Sequence, residues 1–208
     1  MFGRVFIVGA VRGLASEGER VFSIIKNNKP AVVGLSVSKE GMMTMKELAN
    51  AETANPEPDN IEEEIYINGL SEFGEVIKPP PCFLMAMKSA DQFKIPIEAL
   101  DMDDEHYTAA YCKYVSTLDM MRQGRSEKIF SKHVFLAKTP EEFVFEWDDL
   151  VNRLKGYMEL EMAREEWLAK GACRLARKYE KTLVIVELER LTGVSVHLKT
   201  MGCDFEVV

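Results

Sequence analysis

Thr182-Leu-Val-Ile-Val-Glu-Leu-Glu-Arg-Leu-Thr-Gly-Val194 is an aliphatic, β-branched run that turns charged at its end. A parallel strand buried on both faces has no polar side to alternate with, so it reads as continuous Val, Ile and Leu. Leu183 to Val186 read that way. Glu187, Glu189 and Arg190 follow at the carboxyl end, which is where open α/β sheets bind ligands. The stretch predicts a buried parallel strand and points to a place for a site.

The same reasoning applies at the amino-terminal end. Val5-Phe-Ile-Val-Gly-Ala10 and Pro30-Ala-Val-Val-Gly-Leu-Ser-Val37 are two more buried strands. Between them Ser16 and Glu19 have the spacing of a capping box for a helix that Asn27-Asn28-Lys29-Pro30 stops. Strand, helix and strand in so short a span make a βαβ unit with a right-handed crossover. Lys39 to Asn60 reads as a short helix and then a mobile loop, and Ile61 to Phe73 as a helix. Lys78-Pro-Pro-Pro-Cys-Phe83 is an extended approach to the next helix, its last proline suited to a first helical turn. Pro96 to Met102 is a third strand. Asp103 to Met121 carries Tyr107, Tyr111, Tyr114 and Leu118 on one helical face, with Gly124 as the break. Thr139-Pro-Glu-Glu142 is a capping box that opens a long helical region to about Tyr179. The tail, Ser195 to Lys199 and Phe205 to Val208, reads as a hairpin closing one sheet edge. The expected fold class is α/β: a mostly parallel sheet with helices on both faces, a C-terminal hairpin and a large helical insertion in the middle. Residues 1–208 form a single domain, with the helical region at about 103–180.

A net charge of −8 disfavours nucleic acid and anionic membrane surfaces as partners, since both require basic faces. No apolar run approaches the length of a membrane span. Cys82, Cys112, Cys173 and Cys203 are widely spaced, without a CxxC pair or a secretory segment. They read as reduced thiols of a cytoplasmic protein.

The strand ends bring four groups of residues towards one rim: Arg12, then Ser36 with Ser38, then Asp101 with Asp103, then Glu187, Glu189 and Arg190. Arg164-Glu165-Glu166 could cover that rim. Asp103 also stands where a helix N-cap is wanted. Glu187 and Glu189 lie one strand period apart and so share a face. Buried there they need partners, for which Arg12, Arg164 and Arg190 are candidates. An ion-pair network would meet that need as well as a binding site. His106, His133 and His197 stand in separate elements, and Asp101-Met-Asp-Asp-Glu105 lacks the spacing of a calcium loop, so no metal is expected. Gly9-Ala-Val-Arg-Gly13 matches neither nucleotide-cradle pattern, so no cofactor is expected either.

Phe6-Ile-Val-Gly-Ala-Val-Arg12 with Pro30-Ala-Val-Val-Gly-Leu-Ser36, Ala163-Arg-Glu-Glu-Trp-Leu-Ala169 and Ile185-Val-Glu-Leu-Glu-Arg-Leu-Thr-Gly-Val194 together resemble the TraB family. This family belongs to a broader group with Tiki proteins and erythromycin-esterase-like domains, and the resemblance covers most of the chain. Gly74-Glu-Val-Ile-Lys-Pro-Pro-Pro81 and Asp101-Met-Asp-Asp104 are similar to an archaeal-type branch. The resemblance implies a strand ending in GxxH, a strand ending in glutamate, a helix with an Arg-acid pair and a second GxxH strand end. In metal-dependent relatives the histidines and the acid are the implied ligand and catalytic groups. Here Arg12 and Arg190 stand at the two histidine positions, Ser36 at the glutamate and Glu187 at the second glycine. Arginine stays protonated and offers only donors, so it cannot serve as a metal ligand.

Two functional readings follow. In the first, the chain has lost metal-dependent hydrolase chemistry and is a binding or structural protein. Arg12, Ser36, Arg164 and Arg190 would then be candidates for holding a small anionic ligand. In the second, a hydrolase uses relocated carboxylates at the same rim, with Glu187, Glu189, Asp101 and Glu165 as acid–base candidates. The Tyr and Met content of the helical middle would also suit a homodimer interface, though residues at helical spacing are more often core.

Overall fold

The computed structural model describes residues 3–50, 58 and 60–208. Five strands form one all-parallel sheet in the order β3-β2-β4-β1-β5. They are β1 (Arg4–Ala10), β2 (Val32–Leu35), β3 (Ile97–Ala99), β4 (Lys181–Glu187) and β5 (Phe205–Val207). The opening stretch is the central strand. β4 pairs with β1 from Arg4↔Lys181 to Ala10↔Glu187, and with β2 from Val32↔Thr182 to Leu35↔Ile185.

Because strand side chains alternate, β4 feeds two cores. Val184 and Val186 join Val5 and Ile7 beneath α8 (Lys155–Ala176) and α9 (Leu191–Thr200). Leu183 and Ile185 join Val8 and Ala10 beneath α1 (Ala15–Asn28), α2 (Lys39–Asn50) and α4 (Pro81–Phe93). Each fully buried aliphatic side chain contributes about 1.5–3 kcal/mol, which is why this strand tolerates no polar alternation.

The connections fix where a ligand can enter. β1 leads through α1 to β2 on one side of β4, and β4 leads through α9 to β5 on the far side of β1. Two right-handed crossovers heading in opposite directions must run on opposite faces. α1 and α9 do lie in different cores. The carboxyl ends of the neighbours β1 and β4 therefore form a topological switch point, where a crevice opens. A third core closes over that end. Tyr66 and Leu70 of α3 (Ile61–Leu70) pack with Phe143, Val144 and Trp147 of α7 (Pro140–Val151), on Val11 and Leu14 just after β1.

Several expectations are corrected. Residues 191–200 are helix α9, and β5 lies parallel to β1, so the tail is a second crossover unit and no hairpin forms. Ser16 and Glu19 do not cap α1. Leu14 is its N-cap residue without a side-chain bond, and the Glu17 carboxylate accepts from the Val11 N–H at 3.2 Å. Gly124 breaks nothing, since it sits inside α6 (Thr117–Phe130). The break falls after α5 (Asp104–Tyr114), where Ser116 and Asp119 bond each other's backbone N–H groups in a capping box. Thr139 does cap α7, accepting from the Glu142 N–H at 3.2 Å, with Pro140 in the first turn. The thiols are not all reduced. Cys173 of α8 and Cys203 ahead of β5 form a disulfide, their Cα atoms 6.1 Å apart, while Cys82 and Cys112 are free. The crossover through α9 brings those two together across 30 residues, a proximity that local cysteine spacing cannot reveal. Of the helix and loop expected over Lys39 to Asn60, residues 51–57 and 59 lie outside the described residues. No helix among the described residues is long and apolar enough to cross a membrane.

Candidate functional site

Most of the predicted rim residues converge. Arg12 lies two positions past Ala10, the register partner of Glu187. Ser36 N–H donates to the Ile185 carbonyl at 3.0 Å and Asp101 N–H to that of Val37 at 3.2 Å, so the ladders continue to one level. β4 ends at Glu187, and Leu188–Arg190 is a 3-10 turn into α9. Glu187 and Glu189 therefore share no strand face, contrary to expectation, yet both line the same cavity. Gly13, with φ of 111°, makes the turn that carries Arg12 over the strand end, a conformation that side-chain-bearing residues avoid.

α8 contributes from the other side. Leu168, Ala172 and Leu175 pack on the sheet. Arg164 and Glu161, four and seven residues earlier, continue that stripe beyond the rim, about 6 and 10 Å further along the axis. Arg164 is the hub. Its Nε donates to Asp101 Oδ2 at 2.7 Å, Nη2 to Glu187 Oε1 at 2.8 Å and Nη1 to Glu161 Oε2 at 3.4 Å. The second Glu187 oxygen accepts the Ser36 hydroxyl at 2.5 Å. Burial opposes the Glu187 charge, but Arg164, Arg12 and the Ser36 hydroxyl outweigh it and hold the carboxyl down to about 2. At Asp101 burial outweighs Arg164, and the carboxyl is pushed up.

Arg190 is a second, buried hub. It pairs with Asp148 of α7, and its Nη1 reaches Glu165 Oε1 at 3.2 Å and Glu161 Oε2 at 3.5 Å. Burial, helped by Glu161 and Asp148 and opposed by Arg190, raises Glu165 to about 6. Its carboxylate lies against Gly193 in the first turn of α9, where a Cβ would have no room.

Glu189 differs from both. Its Oε2 is buried without a hydrogen-bond partner among the described residues. Burial and the neighbouring Glu187, only partly offset by Arg12, push its carboxyl up to about 7. Arg12 is different again. It is accessible in the cavity, and no described carboxylate lies within ion-pair distance of its guanidinium. The guanidinium sits 5.6 Å from the Tyr66 ring centre, and the Tyr66 hydroxyl donates to the Arg12 carbonyl at 2.8 Å. A cavity of about 580 Å³ contains Arg12, Glu189, Tyr66 and Arg190. A second of about 380 Å³ contains Ser36 and Asp101, and the two share Arg12, Arg164 and Glu187 as a common wall.

Of the four ligand-binding candidates, Ser36, Arg164 and Arg190 are thus engaged by carboxylates, and Arg12 alone is open. Asp103 caps α5, accepting the His106 N–H at 2.9 Å. Glu166 pairs outward with Lys170 at 2.7 Å. Tyr66, Asp148 and Glu161 were not anticipated. Glu161 has a signal, since it precedes Arg164 and Leu168 by three and seven residues on one helical face; Tyr66 and Asp148 have none in the local sequence. The positions that the resemblance gives to metal ligands do not fit a metal. Arg12 and Arg190 offer only donors, and the Ser36 hydroxyl is spent on Glu187. No family model matches the chain, and no curated protein matches it.

Proposed function

We propose that the chain is a divergent TraB-like protein without metal-dependent hydrolase chemistry, which binds a small ligand through one anionic group at Arg12. The observation that carries this is the contrast among the three arginines. Arg164 and Arg190 are consumed by buried and half-buried carboxylates, while Arg12, at the switch point of the sheet, presents a guanidinium paired with no described carboxylate to a cavity large enough for a small molecule. Convergence of Arg12, Ser36, Glu187 and Arg190 at one rim supports the TraB-like part of the reading. Phosphate, sulfate, acetate and nucleotides screened by thermal shift test it. A ligand bound only by the native state adds about 2.7 kcal/mol at a hundredfold excess over Kd. That stabilisation should appear in the wild type and vanish in Arg12→Ala. No shift with any of the anions, or an equal shift in Arg12→Ala, would overturn the proposal.

A second reading, a hydrolase with relocated carboxylates, is favoured by one observation: Glu187 is held ionised while Glu189 beside it titrates near neutrality. Such a split is how paired carboxylates divide acid and base roles. Any esterase, phosphatase or peptidase activity found by screening should fall at least a hundredfold in Glu189→Gln, in line with the usual contribution of an acid–base group of about 10²–10⁴. Full activity in that variant would dismiss this reading.

A further inference from the structure

We propose that Glu189 is the proton-exchanging residue of this cavity, taking up one proton when an anion occupies Arg12, so that the site binds its ligand together with a proton. The inference rests on the Arg12 reading and deepens it. Three features of the site carry it. The Glu189 carboxyl has a buried oxygen, Oε2, with no hydrogen-bond partner among the described residues, so no donor or acceptor at that oxygen locks its charge state. Its neighbour Glu187 cannot exchange protons near neutrality, because the Ser36 hydroxyl and Arg164 occupy both of its oxygens. Among the described residues Arg12 is the cation in this cavity not already committed to a carboxylate in an ion pair, and its field is the largest influence favouring the Glu189 charge.

The other groups facing Glu189 leave this balance in place. Tyr66 of α3 is neutral, its hydroxyl pushed up by burial. Asp148 of α7 is paired with Arg190, and Glu161 of α8 lies between Arg164 and Arg190. Arg190 itself, adjacent in sequence, is paired with these carboxylates and favours the Glu189 charge less than Arg12 does. An anion docking on Arg12 cancels the largest influence favouring the Glu189 charge and leaves two carboxylates side by side in a poorly solvated wall. Like charges so placed cannot both stay ionised. Glu187 is locked, so the proton goes from solvent to a Glu189 oxygen, and the occupied site gains no net negative charge from a monovalent ligand.

Sulfate is a suitable probe because its charge is constant across the range of interest. Binding to the full chain is measured by calorimetry from about pH 6 to pH 8.5, in buffers of different ionisation enthalpy so that protons are counted directly. Wild-type affinity should fall as pH rises through 7, approaching but not exceeding about tenfold per pH unit, the limit for one linked proton, with uptake approaching one proton per sulfate. Glu189→Gln, which keeps the shape without the titration, should bind sulfate with no proton uptake and a flat pH profile. If wild-type sulfate binding is flat with pH and moves no protons, the coupling is wrong while the Arg12 reading stands. Equal slopes in wild type and Glu189→Gln would also overturn the coupling, by placing the proton elsewhere. If sulfate fails to bind at any pH, or binds Arg12→Ala equally well, the Arg12 reading fails and the coupling falls with it.

Discussion

Replacing Arg164 with methionine should destabilise the protein by about 3–5 kcal/mol, the usual cost of stripping a buried charge network of its cation. Methionine retains the bulk along the α8 stripe, so little of the loss would come from packing. What is lost is the charge opposite Asp101, Glu161 and Glu187, whose side chains are only 11%, 17% and 5% exposed. The effect has a pH signature. In the wild type Glu187 is held at about 2, below its usual 4.5, so its contribution is whole above pH 4.5 and is lost as pH falls through 2. Without Arg164 that depression largely goes, and protonating the stranded carboxylates relieves the repulsion. The deficit measured by urea denaturation should therefore be large at pH 7 and shrink towards pH 4. Arg174, whose contact with Glu98 is 3.7 Å long and mostly exposed, provides the control, and its replacement should cost under about 1 kcal/mol. An Arg164→Met loss as small as the control's would mean that solvent screens the hub.

Glu189→Gln should have the opposite sign in alkali. The Glu189 carboxyl ionises near 4.5 in the unfolded chain and at about 7 in the fold, so the native state holds this proton more tightly. The resulting stabilisation is complete below pH 4.5 and is lost as pH rises through 7. Above that the native state carries a charge that burial and Glu187 oppose. A difference of about 2.5 pKa units corresponds to roughly 3 kcal/mol, an upper figure because the cavity admits some solvent. The variant should accordingly be more stable than wild type by about 2–3 kcal/mol at pH 8.5, with the gap closing below pH 5. Chemical denaturation at the two pH values measures this directly. A variant less stable than wild type at pH 8.5 would show that the Glu189 charge is compensated in the fold.

The parts legible in the sequence are those encoded locally. Continuous aliphatic runs revealed β1, β2 and β4, and the charges after them revealed the rim. Two kinds of feature were not legible. Short segments fit two periodicities at once. Ser195-Val-His-Leu-Lys199 alternates like a strand, but Val194 and Leu198 are also four apart, and burial of both under the sheet decides for helix. Strand order was hidden as well, because nothing near residue 182 says that it will separate β1 from β2. For the same reason the sequence could nominate three arginines but not sort them. Whether an arginine is open or engaged depends on Asp148, Glu161 and Glu165, which come from helices whose placement is tertiary.

The position of β4 also orders the birth of the molecule on the ribosome. Chains emerge amino-terminus first, and contacts between residues far apart in sequence form late and slowly. Val32 has to wait for Thr182, and Arg4 for Lys181, before the edges of β2 and β1 that face β4 are paired. Until then β1 and β2 each present a bare hydrogen-bonding edge, the kind of surface on which nascent chains stick to one another. The same ten residues, 181–190, that fill the gap in the sheet also bring Glu187, Glu189 and Arg190. The centre of the sheet and the cavity are thus formed in a single late event, with only β5 still to be added at the edge, and a half-made chain has neither.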